Sequence, residues 1–469
     1  MALQLFNPLT RRVEEFRPFD EAGRTVGMYC CGPTVYDYGH IGNFRTFVFA
    51  DLVRRYLGFR GFKVRHVMNI TDVEDKIIRR VRETGKTLEE FTGVYTDAFL
   101  QDLKELDCVV PAAEDLPRAT GYIPQIIDLI GTLERRGIAY RAADGSVYFS
   151  IEKHRGCGCR YGQLVKLDFD AMRVGERVAS DEYDKESVAD FALWKARVPD
   201  DGAVFWPSPW GEGRPGWHIE CSAMSMALLG PSFDLHLGGE DLAFPHHEDE
   251  IAQSEGATGQ PFVKHWMHGA HLLVEGKKMS KSLGNFFTLR DLLAKGFTGR
   301  EIRYLLLTAH YRDSFNFTID GLTGARTALA RIDECLAKLR ELAGATVAGS
   351  DAAVLHKFAG ALDDDLNISA AWAAVFDWVR DLNRALAANE LQPAAAAAAL
   401  GAWQRMDAVV GIGGKSEAEV PVELLALLDE RNAARKAKDF KRGDTIRDEL
   451  KSKGWAIEDT AKGAKLKKL

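Results

Sequence analysis

Cys30 and Cys31 stand side by side in MYCCGPTVYDYGHIGNFR, which runs from Met28 to Arg45. Thiolates are soft metal ligands, and two donor-rich stretches lie far along the chain. GWHIECSAM offers Cys221; FPHHEDEIAQSE offers His246, His247, Glu248 and Glu250. On a helix, His246 and Glu250 are four apart and share one face. One or two thiolates, an imidazole and a carboxylate make a donor set suited to Zn2+. Taken alone, HHEDE reads as a solvated acidic helix start, so the set gains weight only as a whole. Adjacent side chains of a strand face opposite ways. One of Cys30 and Cys31 therefore faces the metal and the other packs as a small hydrophobe, and periodicity does not choose between them.

A second kind of chemistry is written in GHIGN and GKKMSKSLGN (276–285). His40 and Asn43 sit at a strand-to-helix turn, where backbone amides and the positive end of the helix dipole suit a phosphate. Lys277, Lys278 and Lys281 alternate with serines between glycines, a basic loop fitted to a polyphosphate. Cys157 and Cys159, in GCGCR, have no second cysteine pair to complete a metal site.

The elements that must position these groups follow from periodicity. VGMYCC (26–31) reads as a buried strand. The next stretch has Phe47, Ala50, Val53, Tyr56 and Leu57 at helical spacing and a glycine stop at Gly58 or Gly61. KVRHVMNI (63–70) is a second strand, after which Thr71 or Asp72 caps a helix. Alternating strand and helix imply a Rossmann-like, doubly wound parallel sheet, whose ligands bind beyond the carboxyl ends of the strands. We expect five segments: 1–135, the first half of the nucleotide-binding domain; 136–215, an aromatic and glycine-rich insertion; 216–300, the second half, with strand FDLHLGG (233–239); 301–410, a helical bundle interrupted at Pro393; and 420–469, a basic, helical terminal module after a linker at 411–421.

Composition narrows the class. With 469 residues about three domains are expected. A hydrophobic share of 46% beside 28% charged residues fits a globular protein. No apolar run approaches the ~20 residues of a membrane span. The first residues lack the apolar core of a signal peptide, so the expected place is the cytoplasm. Seven cysteines, an odd number, favour free thiols over a disulfide framework. Residues 431–469 carry 13 Lys and Arg against 6 Asp and Glu, so a local +7 sits on a chain of net −7. A basic end on an acidic body points to a polyanionic partner.

HIGN followed by KMSKS resembles the signature pair of class I aminoacyl-tRNA synthetases. MYCCGPTVYDYGHIGN, NITDVEDKII, GWHIECSAM, FPHHEDEIAQSE and GKKMSKSLGN, in that order, are similar to the cysteinyl-tRNA synthetase family, and the similarity continues into KDFKRGDTIRDELKSKGWAIEDT. The resemblance implies one zinc per chain, held by Cys31, Cys221, His246 and Glu250, with the substrate cysteine bound to it as thiolate. That would distinguish cysteine from serine without an editing domain. It implies that Tyr29, Thr71 and Trp217 line the cysteine pocket, and that Gly238 and Asp241 contact adenosine. It implies that His40, Asn43, Lys278 and Lys281 act on the phosphates of ATP, which enters with Mg2+. The implied partners are L-cysteine, ATP and tRNA(Cys), with no membrane and a monomeric chain. Two departures stand out: Asn43 replaces the last histidine of the HIGH-type motif, and Leu237 stands where glycine is common. Two rivals are a cysteine ligase with an amino-sugar acceptor, which would lack the basic end, and a non-catalytic RNA-binding relative, whose KMSKS would have decayed.

Overall fold

The apolar runs of the first half become strands covered on both faces, as parallel sheets require. The computed structural model describes residues 2–20, 22–166, 190–280, 283–347, 349–413, 421–437, 439–460 and 463–468. Lys281 and residues 414–420 of the expected linker lie outside the described residues. Two units result, Met1–Gly411 and Ile412–Leu469.

In the first unit four parallel strands pair in the order Val263–Gly269, Phe233–Gly239, Thr25–Cys30, Lys63–Met68. The helix Ile41–Phe59 crosses between the last two. It runs past Gly58, and the chain turns instead at Gly61, whose φ is +89°. The following helix is Asp75–Thr84, capped by the carboxylate of Glu74, which accepts from Lys76 N at 2.7 Å. The expected caps have other tasks. Asp72 accepts from Thr120 N and Oγ1 at 2.9 and 2.6 Å, and Thr71 is buried.

Within the stretch expected as an insertion, Ala139–Arg141, Val147–Phe149, Phe191–Ala196 and Gly213–Pro215 form an antiparallel sheet. The helices Ile319–Ala343, Ala352–Asp363, Ile368–Ala387 and Pro393–Val410 then pack on one another. Pro393 does not interrupt a helix. It opens one, at the first position, where a missing N–H costs nothing. Among the described residues no helix is long and apolar enough to cross a membrane.

The second unit is not wholly helical. Helices Val422–Lys436 and Phe440–Ser452 are followed by an antiparallel hairpin, Trp455–Thr460 with Gly463–Lys468. Leu424, Leu428, Ile446, Leu450, Trp455 and Leu466 form its core. Lysine-rich strand sequence reads poorly because only alternate residues of such a hairpin face the core.

Arg303 ties the first unit together. It is fully buried and donates to Val410 O at 2.7 Å, Leu106 O at 3.1 Å and Asp51 Oδ2 at 2.5 Å. Asp51 lies on the helix Ile41–Phe59, so one guanidinium joins that helix to Gly299–Leu306 and to the end of Pro393–Val410. Arg303→Met should cost about 3–5 kcal/mol, the usual loss when one partner of a buried ion pair is removed. Denaturant unfolding measures it. A loss near zero would mean that Arg55, 2.7 Å from Asp51, suffices.

Candidate active site

The sheet delivers donors from several strands to one end. Tyr29 pairs in register with His236, and their rings lie 5.0 Å apart. Two residues past Tyr29, on the same face, comes Cys31, whose N–H keeps to the sheet by donating to Leu237 O at 3.1 Å. Cys221 comes from the helix Trp217–Leu229. His246 lies in the single wide turn Ala243–His247, and Glu250 in the first turn of the helix Glu248–Thr258.

These four side chains meet. Cys31 Sγ is 3.9 Å from Cys221 Sγ and 3.7 Å from Glu250 Oε1, and His246 Nε2 is 3.2 Å from the same Oε1. All are buried, and the four donor atoms lie within 4.8 Å of one another. With metal–sulfur bonds of ~2.3 Å and metal–nitrogen and –oxygen bonds of ~2.0–2.2 Å, a tetrahedron has edges of about 3.8, 3.6 and 3.3 Å for S–S, S–O and N–O. These three edges match, and with all four donor atoms converging the set fits a tetrahedral cation such as zinc. Cys30 stays out of the cluster. Its thiol faces the Cys31 carbonyl at 3.7 Å, and burial pushes its pKa up to about 12.

A shell of histidines surrounds the donors. His236 Nε2 is 3.0 Å from Glu250 Oε2, and His218 Nδ1 is 2.9 Å from His246 Nδ1. His247 Nε2 approaches Cys31 Sγ at 3.4 Å while its Nδ1 meets His268 Nε2 at 2.8 Å. Cys31, His236, His247 and Glu250 thereby make a second group of converging donors. Burial, the leading cause in each case, lowers the pKa of His246 and His247 and pushes His236 and His268 down to about 3. Each ring is neutral and keeps a lone pair. Burial likewise raises Glu250 and Cys31, whereas Cys221 is held down, first by the hydrogen bond from the Cys31 thiol. A divalent cation among these groups would favour the charged form of every acid in the set.

The HHEDE segment is the reverse of a solvated helix start: His246 through Glu250 are all buried. Glu248 accepts from the backbone N–H groups of Gly162, Gln163 and Leu164. Asp249 accepts from Tyr161, and its Oδ2 faces His218 Nε2 at 3.5 Å. Sequence reasoning missed His218, His236 and His268. For His236, a histidine between two leucines in the strand FDLHLGG was the available signal.

The expected pocket residues border the cluster. Tyr29 is buried with its hydroxyl beside Cys221, Trp217 stacks on His246 at 4.5 Å, and Thr71 accepts from Asn69 Nδ2 at 3.0 Å. Gly238 lies against His247, where a Cβ would come within 2.6 Å of the ring. Asp241 is exposed in the short turn Glu240–Leu242.

The two loop signatures also converge. His40 caps the helix Ile41–Phe59: its Nδ1 accepts from Asn43 N at 3.2 Å, and Asn43 Oδ1 accepts from His40 N at 3.0 Å. The residues expected to meet a phosphate thus also cap the helix. The His40 ring lies edge-on to Phe286 at 5.3 Å, Ile41 N donates to Phe287 O, and Met279 sits beside Gly42. Lys278 is exposed on the strand Lys277–Lys278 that leads into the loop, and Asn285 holds the loop base through Ser280 N and Lys278 O.

Comparison with known proteins places the chain in a family. Residues 18–327 match the family model of the class I (C) tRNA synthetase catalytic domain, and residues 357–412 match the DALR domain. A cysteine--tRNA ligase from Chlamydia muridarum is 48% identical over 484 aligned positions covering 100% of both chains. One from Protochlamydia amoebophila is 46% identical over 99% of this chain and 98% of its own. Among solved structures, methionyl-tRNA synthetase of Mycobacterium tuberculosis with methionyl-adenylate aligns with a TM-score of 0.59 at 15% identity, covering 83% of this chain and 90% of that one. A ternary complex of Agrobacterium radiobacter LeuRS with tRNA and LeuAMS gives 0.59 at 12%, covering 85% and 84%. At these identities the likeness is one of fold.

Gly32 fixes the approach of Cys31. A Cβ there would lie 1.6 Å from Asn69 O, and Gly32 N donates to Asn69 Oδ1 at 2.8 Å. Gly32→Ala should therefore part the two strand ends and destabilise the chain by about 1–3 kcal/mol, the usual penalty of overpacking. Wild-type stability in chemical denaturation would mean that the strand ends yield freely.

Proposed function

The chain belongs to the cysteinyl-tRNA synthetase family of class I synthetases, and from that premise we propose how its site works. It is an ATP-dependent ligase that charges tRNA(Cys) with cysteine. The observation that carries the finer reading is the meeting of Cys31, Cys221, His246 and Glu250 at tetrahedral spacings. We assign them as the ligands of one Zn2+, because two soft thiolates suit zinc better than the one thiolate of the alternative group. Bound there, zinc would hold the substrate's sulfur as a thiolate and so select cysteine over serine.

The chain's own residues do the rest. Tyr29, Thr71 and Trp217 enclose the amino acid. Gly238, which leaves no room for a side chain, and Asp241 border the adenosine. The substrate carboxylate is already ionised, so its in-line attack on the α-phosphorus of ATP needs no general base. Positioning and charge complementarity drive the step, and pyrophosphate leaves with its Mg2+. His40 and Asn43 donate to the α-phosphate. In its capping role His40 accepts at Nδ1, so the neutral ring carries its proton on Nε2. Asn43 accepts at Oδ1 and retains its amide protons for donation, so the loss of a second histidine removes a charge but not a donor. Lys278 and Lys281 neutralise the β- and γ-phosphates. A hydroxyl of the terminal tRNA adenosine then attacks the adenylate. The basic unit Ile412–Leu469 binds the anticodon loop, whose unpaired bases suit stacking and edge readout. The enzyme acts in the cytoplasm as a monomer.

Cys31→Ser should lower zinc content well below one per chain and abolish the preference for cysteine over serine. Cys30→Ala should keep both. Metal analysis with cysteine-dependent pyrophosphate exchange decides. Full zinc in the Cys31 variant and loss from the Cys30 variant would reverse the assignment. Deleting residues 420–469 should leave pyrophosphate exchange intact while raising the KM for tRNA at least about tenfold, as several phosphate contacts disappear. An unchanged KM would remove that unit from tRNA binding.

A further inference from the structure

Cys157 and Cys159 take no part in the site described above. They flank Gly158 in a turn that follows the short helix Ile151–Gly156. Cys157 is exposed and Cys159 half-buried. Gly158 has φ +83°, which lets the chain reverse between the two thiols. The pKa of Cys159 is raised by its burial and then by the charge of Cys157. Cys157 is thus the accessible thiol for a first attack, and Cys159 stands next to it to complete an exchange.

The turn leads directly onto the active-site helix. Tyr161 donates to Asp249, while Gly162 N and Gln163 N both donate to Glu248 Oε1 at 2.6 Å, and Leu164 N to Glu248 Oε2 at 2.9 Å. Gln163 Nε2 reaches Glu255 Oε2 at 2.9 Å. Leu164 packs in the same apolar cluster as Tyr29, Cys31, Cys221 and Trp266. Glu248 and Asp249 immediately precede Glu250. A change in the thiol-bearing turn therefore pulls on the residues that set the position of Glu250 and the pocket wall.

We propose that Cys157 and Cys159 are a reversible redox pair, oxidised by low-molecular-weight disulfides, whose closure pulls on residues 160–164 and slows cysteine activation. The Cys157 thiolate attacks one sulfur of a disulfide RSSR, forming a mixed disulfide and releasing RS−. The Cys159 thiolate then attacks Cys157 Sγ, closing the protein disulfide and releasing the second RS−. Two thiols are oxidised, one small disulfide is reduced to two thiols, and the two protons pass to the departing thiolates. A disulfide across a single glycine is strained, and strained, exposed disulfides are the labile ones. The chemistry fits the substrate. The oxidised form of cysteine is itself such a disulfide and has no free thiolate for the site. The pair would report how much of the pool is usable.

The test uses the full-length holoenzyme equilibrated in cysteine/cystine mixtures at one fixed cysteine concentration. Intact mass and differential alkylation read the thiols, metal analysis reads zinc, and pyrophosphate exchange reads activation. We expect a 157–159 disulfide at oxidising ratios, a several-fold fall in exchange at unchanged zinc content, and recovery with reductant. The Cys157→Ser/Cys159→Ser double variant should keep its rate throughout. Three results would overturn the proposal: both thiols still alkylatable in the most oxidising mixture, a disulfide with unchanged exchange, or equal inhibition of the double variant. Zinc content is read separately, so a failure of the metal assignment is distinguishable from a failure of the switch.

Discussion

Glu250 is wholly buried, and its carboxylate is stable there only because of what surrounds it. Moving a lone carboxylate out of water costs several kcal/mol, so it must be protonated, hydrogen-bonded or matched by a cation. His236 and His246 approach its two oxygens, and Cys31 borders one of them. Each of those neighbours is itself buried and depends on a further partner. His246 leans on His218, and Cys31 on Cys221. The cluster is a chain of mutual satisfaction, sealed by Trp217 above His246 and by Trp266 stacked on His236 at 4.3 Å. A cation at its centre would convert repulsion among acids into attraction.

The nucleotide side follows another logic. There the groups stay near the surface, because a triphosphate must enter and pyrophosphate must leave. Helix Ile41–Phe59 supplies oriented amides and a dipole, with Gly42 keeping its first turn clear. The lysine loop is tethered at its base by Asn285 and touches the helix start through Met279. Burial thus marks where the amino acid is chosen, and exposure where charge is moved.

The sequence was legible where one element carries one motif. HIGN announced a strand-to-helix turn, and the helix Ile41–Phe59 begins there. It misled where local rules compete with tertiary ones. Thr71 and Asp72 are good caps by type, yet burial and the bond to Thr120 draw them away, and Glu74 caps instead. The closing hairpin was missed because a two-stranded ribbon shows the core only half its residues. HHEDE looked solvated because acidic residues seldom lie inside, and nothing local says that Tyr161 and three loop amides will meet them.

By itself the sequence determined the donor types, the parallel architecture and the family, because these rest on residue identity and short-range periodicity. It also determined that only one of two adjacent cysteines could face a metal, since alternation along a strand is a local property. Which cysteine joins the donor cluster was decided by the tertiary structure. The register of Tyr29 with His236 turns Cys31 toward Cys221, 190 residues away in the chain, and Cys30 toward its own backbone. The histidine shell is likewise a product of the fold. His218, His236, His247 and His268 stand on one helix, two strands and a turn, and only the packing of these around Glu250 brings them together. Distances between remote residues are set by pairing and packing, and no local pattern encodes them.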